Sequence, residues 1–206
     1  MVFQECTCPS ELYELAKELE SVGKRVIVTT TTHMLRPKNE WELLHTVGVP
    51  CEEEPEKIRG LSEEEYRKLK TQCDVLLVEA DGAKRKPLKV PAEHEPVIPE
   101  DTDMVIGIAG ASAIGRTIKA GCHRGELVGE LLGKKLSEIL TEEDVMTILK
   151  SKAGQKKHVK QKYRMVIGQA DLLTQEQVEK FKKEQGICLY SRKGGADTNG
   201  ENIGIS

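Results

Sequence analysis

The chain has 206 residues, about the length of one domain, with 38% hydrophobic, 32% charged and 3% aromatic side chains. Its 31 basic and 34 acidic residues leave a formal charge of −3, which excludes a global basic footprint for nucleic acid, and the few aromatics disfavour base-stacking platforms. The longest aliphatic run, residues 75–78, is far short of the roughly 20 apolar residues of a membrane span.

No charged start followed by an apolar stretch marks a secretory signal. The cysteines at 6, 8, 51, 73, 122 and 188 show no C-x-x-C spacing. Cys6 and Cys8 have no matching pair downstream, which disfavours a zinc site. Scattered thiols without a signal suit a reducing compartment, so a cytoplasmic location is expected.

Segments of helical and strand pattern alternate along the chain. Leu12, Leu15, Ala16, Leu19 and Val22 recur at helical spacing, and Gly23 closes that helix. The β-branched run at residues 26–30 predicts a strand. Trp41, Leu43, Leu44 and Val47 suggest a short helix. Ser62 with Glu65 forms a capping box that opens a helix to about Gln72. Residues 74–80 and 103–109 read as buried strands. Leu127, Leu131, Leu132 and Leu136 predict a helix, and Thr141 opens another through about Lys150. Residues 165–168, 174–185 and 187–190 read as strand, helix and strand.

Short apolar strands between helices predict an α/β fold, a three-layer sandwich around a mostly parallel sheet. Residues 1–190 are expected to form one domain, and 191–206 a polar, disordered tail. The stretch 150–164 holds seven Lys or Arg and no acid. It reads as a solvated helix end and loop, or as a docking patch for an anionic partner.

In such sheets ligands bind beyond the carboxyl ends of the strands. After the first visible strand come Thr30, Thr31, Thr32 and His33, whose hydroxyls could reach a phosphate oxygen or a metal-bound water. After the second come Glu79 and Asp81, two apart and hence on one face of an extended strand. A carboxylate there is costly unless paired or holding a cation. Asp81 and Glu79 are therefore the catalytic candidates, Asp81 as the Mg²⁺ ligand, as in a Walker B strand, and Glu79 as a base or as a support to the metal's ligands. Lys84, Arg85, Lys86 and Lys89 bring positive charge; the alternative is an acidic strand end paired with these bases. Glu93, His94 and Glu95, between two prolines, read as a structural loop.

Residues 110–117 have the spacing G-x-x-x-x-G-R-T, close to a phosphate-cradling loop, with Gly110, Gly115 and Arg116 as anion-binding candidates. Gly121 interrupts the helix such a loop must open, so an anion-friendly turn is the reading. His123 and Arg124 extend the same pocket. Asp171, after the fourth strand, could read a base amine or simply open a helix.

Residues 28–34, 78–85 and 87–99 resemble the YqeC family of selenium-dependent molybdenum hydroxylase accessory proteins. Residues 107–115, His123 with Arg124, and Gln169 to Asp171 fit as well, and the likeness runs from about Leu12 to Leu173. The resemblance implies a P-loop-NTPase-like fold and a part in maturing hydroxylases that carry labile selenium beside a molybdenum cofactor. It implies Mg²⁺ with ATP or GTP, or a molybdenum cofactor or selenium species, as ligand. The hydroxylase or its maturation machinery would be the partner, with no nucleic acid and no membrane span.

Family members begin with a strand and a G-x-G-G-K-T loop. Here residues 1–10 hold no glycine and no lysine, so both the N-terminal strand and the P-loop are expected to be missing. Gly168 stands where the family tends to have an asparagine before Gln-x-Asp. Weak nucleotide binding and little hydrolysis are therefore expected. The readings are a nucleotide-binding accessory factor, a non-catalytic cofactor- or client-binding module of the same pathway, and, more distantly, a small-metabolite kinase.

Overall fold

The computed structural model describes residues 1–4 and 10–191. In chain order the strands and α-helices are β1 (Val2–Gln4), α1 (Ser10–Ser21), β2 (Val26–Thr30), β3 (His33–Leu35), α2 (Glu40–His45), β4 (Val49–Pro50), β5 (Lys57–Arg59), α3 (Glu63–Lys70), β6 (Val75–Glu79), β7 (Leu88–Lys89), β8 (Met104–Gly110), α4 (Ile118–Gly121), β9 (Cys122–His123), α5 (Gly125–Leu132), α6 (Glu142–Lys150), β10 (Lys162–Gly168), α7 (Gln175–Lys182) and β11 (Ile187–Leu189).

Six strands form one sheet in the order β11-β10-β8-β1-β6-β2, and every neighbouring pair is parallel. The expectation that the N-terminal strand is missing is corrected here. β1 lies in the middle of the sheet, pairing Val2 with Val78 on one side and with Val105 on the other. Three residues leave no periodicity to read, and β1 is defined by ladders on both of its edges. The Met1 ammonium also donates to the Leu76 carbonyl at 2.8 Å. Residues 5–9, where the missing phosphate loop was expected, lie outside the described residues, as do residues 192–206 of the expected polar tail.

The sheet is covered on both faces because its strands are apolar on both. Leu76 and Val78 of β6 pack with Tyr66 and Leu69 of α3. Leu77, between them, packs on the opposite face with Leu12, Ala16 and Leu19 of α1. Ala109 of β8 and Met165 and Ile167 of β10 meet Val145, Ile148 and Leu149 of α6 and Phe181 of α7. Connections out of β1 and out of β8 run to opposite edges, so the switch point of the sheet lies at these central strands.

Helix starts follow the sequence signals. Ser62 with Glu65 and Thr141 with Asp144 form complete capping boxes. Gly23, at φ 81°, follows α1 as expected. α5 stops at Gly133, φ 65°, short of Leu136. Two small sheets were not legible: antiparallel β3-β5-β4, and the parallel pair β7-β9. The basic stretch 150–164 is partly tied to the fold. Lys150 pairs with Glu184, and Lys157 donates to the Ala92 carbonyl. Among the described residues no helix is long and apolar enough to cross a membrane.

Candidate functional site

A cleft of about 590 Å³ opens at the carboxyl end of β6. Its lining includes Thr32, Glu79, Asp81, Lys84, Arg85, His123 and Arg124 from the sequence-derived set. Leu35 and Lys57 of the small antiparallel sheet, with Glu54 of the loop between β4 and β5, form a second wall.

Glu79 is the last residue of β6, and Phe3 of β1 lies opposite it in the ladder. The glycine that follows lets the chain turn back closely: a Cβ on Gly82 would stand 3.1 Å from Glu79 Oε1. Beyond it, Lys84 and Arg85 both take left-handed backbone angles, φ 50° and 64°, which places two exposed cations in succession at the rim. The β7-β9 ladder then sets Lys89 opposite His123. This two-residue contact joins segments 34 residues apart and completes the site.

Lys89 and Asp81 form an ion pair, each side chain 2% exposed. The Lys89 ammonium also donates to the Gly82 carbonyl at 2.8 Å and lies 3.5 Å from Glu95 Oε2. Arg124 donates to both Glu95 oxygens, to Oε1 at 2.9 Å. The result is a chain of alternating charge, Asp81–Lys89–Glu95–Arg124, running from the floor of the cleft to its side. Glu79 Oε2 and Asp81 Oδ2 are buried and have no hydrogen-bond partner among the described residues.

This environment moves the acids in opposite directions. Burial, then the neighbouring Asp81, pushes Glu79 up to about 8 against the pull of Lys89. Burial pushes Asp81 up to about 7, although Lys89 opposes it. Burial alone would raise Glu95 too, but Arg124 and Lys89 outweigh it and hold that carboxyl well below its usual range. Burial, with the charges of Lys89, Arg124 and Lys84, lowers His123, which is therefore a neutral imidazole at pH 7.

The other sequence-derived candidates fall elsewhere. Thr30 and Thr31 donate their hydroxyl protons to the carbonyls of Glu79 at 2.9 Å and Val97 at 2.8 Å, and both are outside the cleft lining. In the turn at residues 110–117 several N–H groups serve the fold. Gly110 donates to Pro87, Gly115 to Leu140 and Arg116 to Ala113. A four-residue helix follows it. Gly110, Gly115 and Arg116 are outside the cleft lining. Asp171 is exposed in a 3-10 turn, accepting from the Ser191 hydroxyl at 3.1 Å. The loop holding Glu95, read from sequence as structural, contributes an acid to the cleft.

The residues present do not make a ready site for Mg²⁺. Asp81, the expected ligand, already has one oxygen on Lys89, and burial favours the protonated form of Glu79. Among the described residues no group of three His, Cys, Asp or Glu could hold a metal ion. The arrangement can instead accept N–H or O–H donors at the carboxyl floor and an anion at the cationic rim.

No solved structure matches the chain. A curated relative from Escherichia coli (strain K12), described as the uncharacterized protein YqeC, is 30% identical over 177 residues, 76% of this chain and 69% of the relative. The family model described as YqeC protein matches residues 9–126, which include Glu79, Asp81, Lys89, Glu95 and Arg124. The chain belongs to the YqeC family.

Proposed function

We propose that the chain is an accessory factor in the maturation of selenium-dependent molybdenum hydroxylases, and that it acts by holding a phosphate-bearing cofactor or nucleotide in the cleft without hydrolysing it. The observation that carries this reading is the polarity of the cleft. Buried carboxyl oxygens without hydrogen-bond partners among the described residues lie at its floor, and Lys84, Arg85 and neutral His123 line its mouth. A pterin or purine offers N–H donors at one end and phosphate at the other, which suits both ends of such a cleft. The central place of β1 beside the acid-bearing β6 supports a P-loop-NTPase-like architecture.

The same residues argue for binding over hydrolysis. The segment between β1 and α1 carries no glycine and no lysine, so it lacks the groups that neutralise a γ-phosphate in P-loop enzymes. The partner would be the hydroxylase or its maturation machinery. Cells lacking the chain provide the test. Hydroxylase purified from them should be low in selenium and in activity, and the Lys84→Ala/Arg85→Ala chain should fail to restore either. Hydroxylase of normal selenium content and activity from the deletion strain would refute the accessory role.

A further inference from the structure

Three oxygens surround the Lys89 ammonium. It donates to Asp81 Oδ1 and to the Gly82 carbonyl at 2.8 Å, and lies 3.5 Å from Glu95 Oε2. Two carboxylates and a carbonyl are the kind of donor set that hard divalent cations take. Here a tethered ammonium fills it. β7 delivers the side chain, and the register with His123 fixes it in place.

The charge pattern of the cleft gives this pairing a consequence. Glu54, Asp81 and Glu95 line the cleft, and unpaired they would repel an anion. Lys57 pairs with Glu54, Lys89 with Asp81, and Arg124 with Glu95. Lys84 and Arg85 have no ion pair among the described residues and stand exposed at the rim. Internal cations thus offset three of the acids and leave the rim positive.

We infer that Lys89 is the resident cation of this site, so that the cleft binds a phosphate-bearing anion without a divalent metal. The inference rests on the reading of the cleft as a phosphate-ligand site. Lys89 is a positioning residue: it is buried beneath the cleft and acts through Asp81 and Glu95.

Titration calorimetry with inorganic pyrophosphate tests this on the full chain, first in a chelator and then with excess Mg²⁺. The two dissociation constants should agree within about twofold. Spin-resonance titration should find no Mn²⁺ site tighter than about 100 μM. Lys89→Met keeps the length of the side chain and removes its charge. Its metal-free pyrophosphate binding should weaken about tenfold, and Mn²⁺ should restore it by binding the released oxygens. A merely structural role for Lys89 would weaken binding equally with and without Mn²⁺, which would overturn the inference. Should this variant not fold, the wild-type arms still decide. Binding by the wild type only in Mg²⁺ overturns metal independence and leaves the phosphate-ligand reading standing. Binding in neither condition overturns both. GTP and a pterin phosphate, each titrated in chelator, separate the two sources of the phosphate: the one that binds metal-free names the ligand, and failure of both overturns the inference.

Discussion

Lys89 and Asp81 are both withdrawn from solvent, 2% exposed each, and meet in an ion pair at the base of the cleft. Neither residue could be buried this way alone, since an unpaired buried charge is far costlier than a paired one. The pair is held from outside by Glu95, which Arg124 grips through both oxygens. Four side chains, at positions 81, 89, 95 and 124, therefore act as one electrostatic unit.

The titration of the acids gives a signed prediction. Glu79 and Asp81 are raised to about 8 and about 7, so the folded chain holds more protons than the unfolded one between roughly pH 4 and those values. Their contribution to stability is complete below the unfolded values and is lost as pH rises through the folded ones. Glu79→Gln removes one such titration. In chemical denaturation the variant should gain about 1–3 kcal/mol on the parent between about pH 5 and about pH 9. A difference that stays constant with pH would mean that Glu79 ionises as an ordinary surface acid.

Arg124→Ala removes the partner that holds Glu95 in its ionised form. The variant should lose about 1–3 kcal/mol at neutral pH, since a largely buried carboxylate is left with the Ala92 N–H at 3.2 Å and the 3.5 Å contact to Lys89. Glu95 is depressed in the folded chain, so its contribution is present above the usual carboxylate value and fades as pH falls. The stability gap between parent and variant should therefore narrow in acid. A gap that widens in acid would rule out this role for the Arg124–Glu95 pair.

Gly82→Ala is a probe of the cleft floor. The new Cβ would lie 3.1 Å from Glu79 Oε1, tighter than ordinary contact, and the carboxyl must shift to make room. Pyrophosphate affinity should fall several-fold, roughly three to ten times, while the melting temperature changes little. Equal affinity in both chains would show that the position of Glu79 is irrelevant to binding.

Mg²⁺ should not strengthen the binding of ATP or GTP, because the segment between β1 and α1 holds no glycine and no lysine to cradle a metal-bound triphosphate. Titration calorimetry measures this directly. Binding of either Mg²⁺ complex about tenfold or more tighter than the free nucleotide would contradict the account.

Much of this architecture could be read from the chain alone. Strands β2, β6 and β8 are runs of apolar residues, and the capping boxes at Ser62 and Thr141 fix two helix starts. Glu79 and Asp81 were legible because acids at the end of an apolar strand are chemically expensive. Other parts were hidden for physical reasons. β1 is three residues long, and β7 and β9 are two each, too short for any pattern to appear. Yet the β7-β9 pair is what brings Lys89 and Arg124 to Asp81. Lys89 did leave one signal, a single lysine between Leu88 and Val90, all three of which are buried. That Thr30 and Thr31 spend their hydroxyl protons on carbonyls leaves no sequence pattern. Nor does spacing show that several N–H groups of the turn at residues 110–117 are engaged within the fold.

Titration of phosphorylated ligands into the parent chain and the Lys84→Ala/Arg85→Ala variant is the most direct test of the central claim, that this cleft holds a phosphate-bearing ligand. The two arginine and lysine positions are exposed, so the variant should fold as the parent does. A molybdopterin-type pterin phosphate should bind the parent saturably, and the variant at least about tenfold more weakly, as expected for the loss of charge-assisted hydrogen bonds. Equal affinity for the two chains, or no binding of any pterin or nucleotide phosphate by the parent, would contradict the account.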